Sequence, residues 1–250
     1  MQRMNCQLII LAAGNGSRMN SELPKVMHKV GERTMIDMVI SHALEVTQDV
    51  ILVHSSQLEK YIESYRNMSK FVLQSNPLGT AHAVYTALDL VDNEKIVAVL
   101  YGDNPLITAN IISDLLEHLI VTNSAITTLS FKRDNPSEYG RIVTDECDNF
   151  LKIVEAKEAN DEELAITICN SGVMAFGAGV LQKYLTAPFI ENIGDIKELY
   201  LTSLIEIAQK QGEKVSYFLS PYHNLVLGVN TKQELEEANQ TLSKLTLSSY

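Results

Sequence analysis

The 250-residue chain carries 46% hydrophobic and 20% charged residues, a globular composition that excludes long disorder, and its length suits one large or two small domains. With 31 acidic against 20 basic residues the formal charge is −11, which argues against coating nucleic acid or an anionic membrane and leaves room for a local cationic pocket. The longest strictly apolar run, residues 8–13, is far short of the roughly 20 residues of a membrane span. The polar start, residues 1–6, passes straight into that run, with no signal-peptide pattern, so a cytoplasmic protein is expected. Cys6, Cys147 and Cys169 are odd in number and far apart. Without a C-x-x-C pair they read as reduced, buried or half-buried thiols rather than a zinc or disulfide framework.

In chain order, residues 7–11 form a short apolar strand ending in small residues. Met35, Ile36, Val39, Ile40, Ala43 and Leu44 recur at helical spacing. Residues 50–53 read as a buried strand, Leu58, Ile62 and Tyr65 as a polar surface helix, and residues 71–73 as a short strand. Ala81, Val84, Leu88 and Val91 predict a helix, residues 96–101 a fourth strand, and Ile111, Leu115, Leu119 and Ile120 another helix. This alternation predicts an α/β fold, a doubly wound, mostly parallel Rossmann-like sheet with helices on both faces. Ligands of such sheets sit at the carboxyl ends of the strands. After Ser124 four strands follow with short connections, over residues 125–131, 141–144, 150–155 and 167–176. Helices are expected at 180–185 and 199–209, a strand at 215–219 and a closing helix at 231–245. An antiparallel insertion in the second half accounts for that texture. No linker or internal repeat divides the chain. It is expected to form one domain over 1–250, with halves 1–124 and 125–230 followed by a terminal helical segment at 231–250.

The first strand runs into Leu11-Ala12-Ala13-Gly14-Asn15-Gly16-Ser17-Arg18-Met19. Two glycines two apart let backbone N–H groups face phosphate oxygens, although a plain tight turn uses the same residues. The run is neither G-x-G-x-x-G nor a P-loop. Arg18 and Lys25, the latter just after Pro24, add a planar fork and a point charge suited to phosphate. Asp103 follows the fourth strand in Tyr101-Gly102-Asp103-Asn104-Pro105, where a hard oxygen ligand can hold Mg²⁺ and where a turn or cap aspartate is the structural alternative. Gly79, within Pro77–Ala83, leaves room for close backbone approach. Gln74 has the donor and acceptor that complement a uracil edge, though by itself it reads as a solvated loop residue. His82 reads as a helix-packing residue.

These stretches resemble sugar-nucleotide pyrophosphorylases and, among them, the bacterial N-acetylglucosamine-1-phosphate uridylyltransferases. That activity is usually the N-terminal half of a bifunctional enzyme. The likeness is carried by L-A-A-G-N-G-S-R-M (11–19), S-E-L-P-K-V-M-H (21–28), P-L-G-T-A-H-A (77–83), Y-G-D-N-P-L (101–106), E-Y-G-R-I (138–142), V-E-A-K-E-A (154–159), N-S-G-V (170–173) and G-V-N (228–230), in order along nearly the whole chain. The resemblance implies a glycosyltransferase-A-like nucleotidyltransferase fold. It implies that Leu11, Ala12, Ala13 and Gly14 cradle uridine and phosphates, that Arg18 and Lys25 hold phosphates as the catalytic cations, and that Gln74, Gly79 and Thr80 meet uracil. It places Tyr101, Gly102 and Asp103 between nucleotide and sugar, sets Gly140, Glu155, Asn170 and Asn230 at the aminosugar, and assigns Mg²⁺ to Asp103 and Asn230.

Ser17, Glu138, Ala156, Glu158 and Ser203 depart from the family pattern. Ser17 keeps a hydroxyl, whereas Glu138, Ala156 and Ser203 bear on sugar choice more than on the nucleotide. The implied substrates are UTP and N-acetylglucosamine 1-phosphate, with no nucleic acid or membrane partner. The alternatives are another nucleotide or sugar phosphate, or an idle sugar-nucleotide sensor. No hexapeptide β-helix follows Asn230, so no acetyltransferase activity and a monomer or dimer are expected.

Overall fold

A computed structural model describes residues 4–14, 16–136, 138–191 and 199–247. Met1, Gln2 and Arg3 of the polar start, Asn15 of the glycine loop, the Ser17 side chain and the last three residues of the terminal segment lie outside the described residues. Strand β1 (Cys6–Ala12) is followed by β2 (Lys29–Val30), β3 (Arg33–Thr34), α1 (Met35–Val46), β4 (Val50–His54), β5 (Lys70–Leu73), α2 (Thr80–Thr86), β6 (Ile96–Tyr101) and α3 (Ala109–Thr122). The second half contains β7 (Ile126–Lys132), β8 (Arg141–Thr144), β9 (Phe150–Val154), α4 (Asp161–Leu164), β10 (Ile168–Phe176), α5 (Val180–Tyr184), α6 (Ala187–Glu191), α7 (Ser203–Lys210), β11 (Val215–Leu219) and α8 (Lys232–Leu247).

The sheet runs β11-β7-β10-β6-β1-β4-β5. Strands β6, β1, β4 and β5 are parallel. β10 enters antiparallel between β6 and β7, and β11 pairs parallel with β7. The β8–β9 hairpin leans on β10 through Cys169 and Arg141. The apolar runs of β1 and β4 are buried throughout because helices cover both faces of a parallel sheet. Ile36 and Ile40 of α1 and Leu115 of α3 pack on one face. Ala81 and Val84 of α2, Leu181 of α5 and Leu204 of α7 pack on the other. The fold is therefore the expected doubly wound α/β sheet with an antiparallel insertion.

Helix boundaries follow local chemistry. Thr34 and Asp37 close a reciprocal capping box on α1, an arrangement worth about 1 kcal/mol per cap. The surface helix expected over residues 58–65 is instead two 3₁₀ turns, Glu59–Tyr61 and Glu63–Tyr65, anchored by the buried Leu58 and Ile62. The helix expected from residue 199 begins at Ser203, because Leu199 donates to Leu78 O and accepts from Ala81 N instead of starting a turn. The β2–β3 pair, α4 and α6 were not expected, being too short to show a period. Cys6 and Cys169 are buried, and burial pushes each thiol up to about 11. Cys147 corrects the buried or half-buried expectation: it is exposed, in the β8–β9 turn where its N–H donates to Asp145. Among the described residues no helix is long and apolar enough to cross a membrane.

Candidate active site

A cleft of about 690 Å³ opens where β1 and β6 end. Every residue to which the resemblance assigns a binding or catalytic role lines it except Gly102. Gly102 lies just beneath, donating to Leu11 O at 2.9 Å, and a Cβ there would stand 3.0 Å from Val26 Cγ1. A larger groove of about 880 Å³ along α1, near Tyr65 and Met68, shares none of these residues.

At one end, cations and oxygen ligands alternate. Lys25 Nζ bonds Asp103 Oδ2 and also reaches Asn230 Oδ1 at 3.1 Å. Asn230 Oδ1 accepts from Arg18 at 3.1 Å, and Arg18 donates to Glu138 Oε2 at 3.3 Å. Two backbone features build this chain. Gly16 has φ +58°, and a Cβ on it would lie 2.6 Å from Lys25 Cβ, so only glycine lets the loop turn back over Lys25. Asp103 O accepts from Val229 N at 2.8 Å, which ties the turn after β6 to the segment carrying Asn230. Asn230 is not the cap of α8. Thr231 and Glu234 form that box, Thr231 Oγ1 accepting from Glu234 N and Glu234 Oε2 accepting from Thr231 N, so the Asn230 carboxamide is left to the cleft. The outcome is two cations beside a glycine turn, facing the Asp103 carboxylate and the Asn230 carboxamide oxygen, with the exposed Glu138 carboxylate also on Arg18. Those elements suit a polyanion and a hard cation together.

The second wall is at α2. Gly79, with φ +108° and ψ 178°, precedes the helix. Thr80 Oγ1 accepts from Leu201 N at 2.9 Å. Gln74, read as solvated on its own, is 6% exposed because its backbone N donates to His54 O at 2.9 Å at the end of β4. Its Nε2 donates to Gly79 O at 3.3 Å and meets His82 Nδ1 at 2.9 Å. His82 is thus a polar partner of Gln74 as well as a helix residue.

At the third wall Asn170 N donates to Gly140 O at 2.8 Å. Asn170 Oδ1 accepts from Thr128 Oγ1 at 2.7 Å and Gly172 N at 3.1 Å, which leaves its Nδ2 as the group open to a ligand. The Glu155 carboxylate lies over Gly140, 3.5 Å from where a Cβ would be. Burial, reinforced by Glu158, raises its pKa above the ordinary glutamate value. Sequence reasoning missed Tyr139. Its ring stands edge-on to Phe131, with centroids 5.0 Å apart, and its hydroxyl accepts from Gly228 N at 3.3 Å. Burial foremost, with Glu234, pushes this phenol up to about 12. The residue lay inside a matched stretch, but a partner 89 positions away leaves no local signal. Thr128, whose partner Asn170 is 42 positions away, was missed for the same reason, and Tyr200 was missed as well. Tyr200 lines the cleft, whereas Thr128 stands behind it, holding the Asn170 carbonyl.

The model of the MobA-like NTP transferase domain matches residues 8–188, and the chain belongs to that family. Among curated relatives it is 35% identical over 246 residues to the bifunctional protein GlmU of Alkaliphilus metalliredigens, covering 96% of this chain and 53% of the relative. It is 38% identical over 244 residues to that of Lactococcus lactis subsp. lactis, covering 96% and 53%, and 36% identical over 238 residues to that of Desulfotalea psychrophila, covering 94% and 70%. The chain spans about half the length of the first two. A solved structure described as a candidate glucose-1-phosphate thymidylyltransferase from Bacillus anthracis, in complex with a sucrose, superposes with a TM-score of 0.73 at 19% identity, covering 94% of each chain. At that identity the likeness speaks to the fold, which is a glycosyltransferase-A-like nucleotidyltransferase fold.

Proposed function

We propose that the chain transfers a uridylyl group from UTP to N-acetylglucosamine 1-phosphate, releasing pyrophosphate. The observation that carries this reading is the meeting, in one cleft, of the Arg18–Lys25–Asp103–Asn230 cluster with the Gln74–Gly79 wall and the Gly140–Glu155–Asn170 wall. The similarity to bifunctional GlmU proteins supports it.

The sugar phosphate, with a second pKa of about 6, is largely a dianion at neutral pH. Its oxygen attacks the α-phosphorus, a new P–O bond forms, and the bond to the β-phosphate oxygen breaks with its electrons leaving on pyrophosphate. No general base is needed, so the role of the protein is to bring two polyanions together. Lys25 and Arg18 offset the repulsion and meet the charge that moves onto pyrophosphate. Asp103 and Asn230 would hold Mg²⁺. Their oxygens already converge on one cation, the Lys25 ammonium, and a carboxylate plus a carboxamide suit an ion that keeps waters and phosphate oxygens as its other ligands. When bound, Mg²⁺ supplies charge neutralisation and a template for the phosphates. Asn170 Nδ2 and the Glu155 carboxylate orient the sugar, which favours N-acetylglucosamine 1-phosphate over glucose 1-phosphate. The Gln74 carbonyl oxygen matches the N3–H of uracil, and thymine shares that N–H, so dTTP is the second reading. The test is pyrophosphate release that requires both UTP and a sugar 1-phosphate and stops in EDTA. Release from UTP alone, or none with any sugar phosphate, would overturn the proposal.

A further inference from the structure

At the Gln74–Gly79 wall one hydrogen-bond arrangement fixes which way an amide faces. Gln74 has one carbonyl oxygen and one amino group. Gly79 O can only accept, so the atom 3.3 Å from it is Nε2. That same Nε2 lies 2.9 Å from His82 Nδ1, and because an amino group donates, Nδ1 must be the unprotonated nitrogen of a neutral ring. Burial holds His82 below its ordinary histidine range, in keeping with a neutral imidazole. Both amino hydrogens are thereby engaged. Among the described residues no hydrogen bond engages Gln74 Oε1, and Gln74 lines the cleft while His82 stands behind it. The carboxamide therefore offers a ligand an acceptor and no donor, although the side chain in general carries both.

We propose that His82 is a positioning residue which locks the Gln74 carboxamide with its carbonyl oxygen available to the base, and that this lock excludes cytosine. The inference rests on the proposed use of UTP. Uracil carries a hydrogen at N3 and pairs with an acceptor. Cytosine carries a bare nitrogen at N3, which meets the locked oxygen lone pair to lone pair. If His82 loses its acceptor, one Nε2 hydrogen has no partner behind it, and only the longer bond to Gly79 O, at 3.3 Å, still opposes rotation of the amide by half a turn. The flipped amide presents a donor that suits cytosine. A buried, mismatched polar pair in a site built for the other partner typically costs on the order of tenfold or more in affinity.

The experiment measures equilibrium binding of UTP and CTP by calorimetry for the whole chain, together with KM for the sugar phosphate. Wild type is expected to prefer UTP by about tenfold or more. His82→Phe keeps the ring volume without the acceptor and should reduce the preference to within about threefold, with weaker UTP and tighter CTP binding and an unchanged sugar-phosphate KM. His82→Ala is the second variant if the phenylalanine form does not fold. His82→Gln, which restores an acceptor oxygen, should recover most of the preference. Gln74→Ala should erase the preference, and adding His82→Phe to it should change nothing further. An unaltered UTP-to-CTP ratio in both His82→Phe and His82→Ala overturns the lock while leaving the proposed reaction standing. So does an equal effect of His82→Phe with Gln74 already removed. A wild-type chain that binds CTP as well as UTP overturns the reading of the base site, and the lock with it.

Discussion

Gly79→Ala separates the packing of the Gln74–Gly79 wall from its chemistry. Gly79 sits at φ +108° and ψ 178°, a region that is essentially glycine-only and costs other residues about 1–3 kcal/mol. An added Cβ would lie 2.4 Å from both the N and the O of Leu199, and those are backbone atoms, unable to swing away. The contact opens only if the strands of chain part, and parting breaks two hydrogen bonds, Ala81 N to Leu199 O at 2.8 Å and Leu199 N to Leu78 O at 2.9 Å. Overpacking of this kind costs about 1–3 kcal/mol, so the total expected loss is about 2–6 kcal/mol, a large part of a domain's usual margin of roughly 5–15 kcal/mol. Gly14→Ala is the internal control. Nothing lies within 4 Å of its added Cβ, and its stability should stay within about 0.5 kcal/mol of wild type. The assay is urea denaturation followed by circular dichroism, with UTP binding on the folded fraction. A Gly79→Ala chain as stable as Gly14→Ala would refute the reasoning that Gly79 and Leu199 touch at backbone distance.

Asp103→Ala should lower kcat by on the order of 100-fold and Asn230→Ala by about tenfold, because the carboxylate adds charge to coordination. Turnover should vanish in EDTA, and equal losses from the two variants would count against the assignment. Glu138→Gln removes the exposed counter-ion of Arg18. Since exposed pairs contribute about 0–1 kcal/mol, KM for UTP should fall by up to about fivefold, and a rise would show that Glu138 helps to hold the phosphates. Glu155 has a raised pKa in the folded chain, so its ionisation opposes folding as pH climbs through that value. Glu155→Gln should therefore raise the melting temperature at pH 7, with the gain gone below the ordinary glutamate range, while sugar-phosphate KM worsens. A melting temperature unchanged at pH 7 would contradict this.

Much of the fold is legible because burial on two faces writes itself into composition. The unbroken apolar runs of β1, β4 and β6 could only be strands of a covered sheet, and Met35–Val46 and Ala109–Thr122 show clear helical spacing. Where too few side chains are buried the pattern fails, as at Glu59–Tyr65, whose anchors are only Leu58 and Ile62. The start of α7 was misread because Leu199 is held by the loop at 78–81, a contact across more than a hundred residues. In the candidate site, residue types at strand ends were legible and orientations were not. That Asn230 faces the cleft depends on Thr231 and Glu234 forming the cap of α8. Asn170 could both donate and accept until Thr128 and Gly172 were found on its oxygen. The donor of Gln74 was counted for the ligand until Gly79 and His82 were found to hold it.

The most direct test of the central claim is kcat/KM for pyrophosphate release with UTP, measured side by side for N-acetylglucosamine 1-phosphate and glucose 1-phosphate. Losing one matched polar contact in such a site costs on the order of 1–3 kcal/mol, so a preference of about tenfold or more for the acetylated sugar is expected. Equal values for the two sugars, or faster release with glucose 1-phosphate, would contradict the assignment of Gly140, Glu155 and Asn170 to an aminosugar.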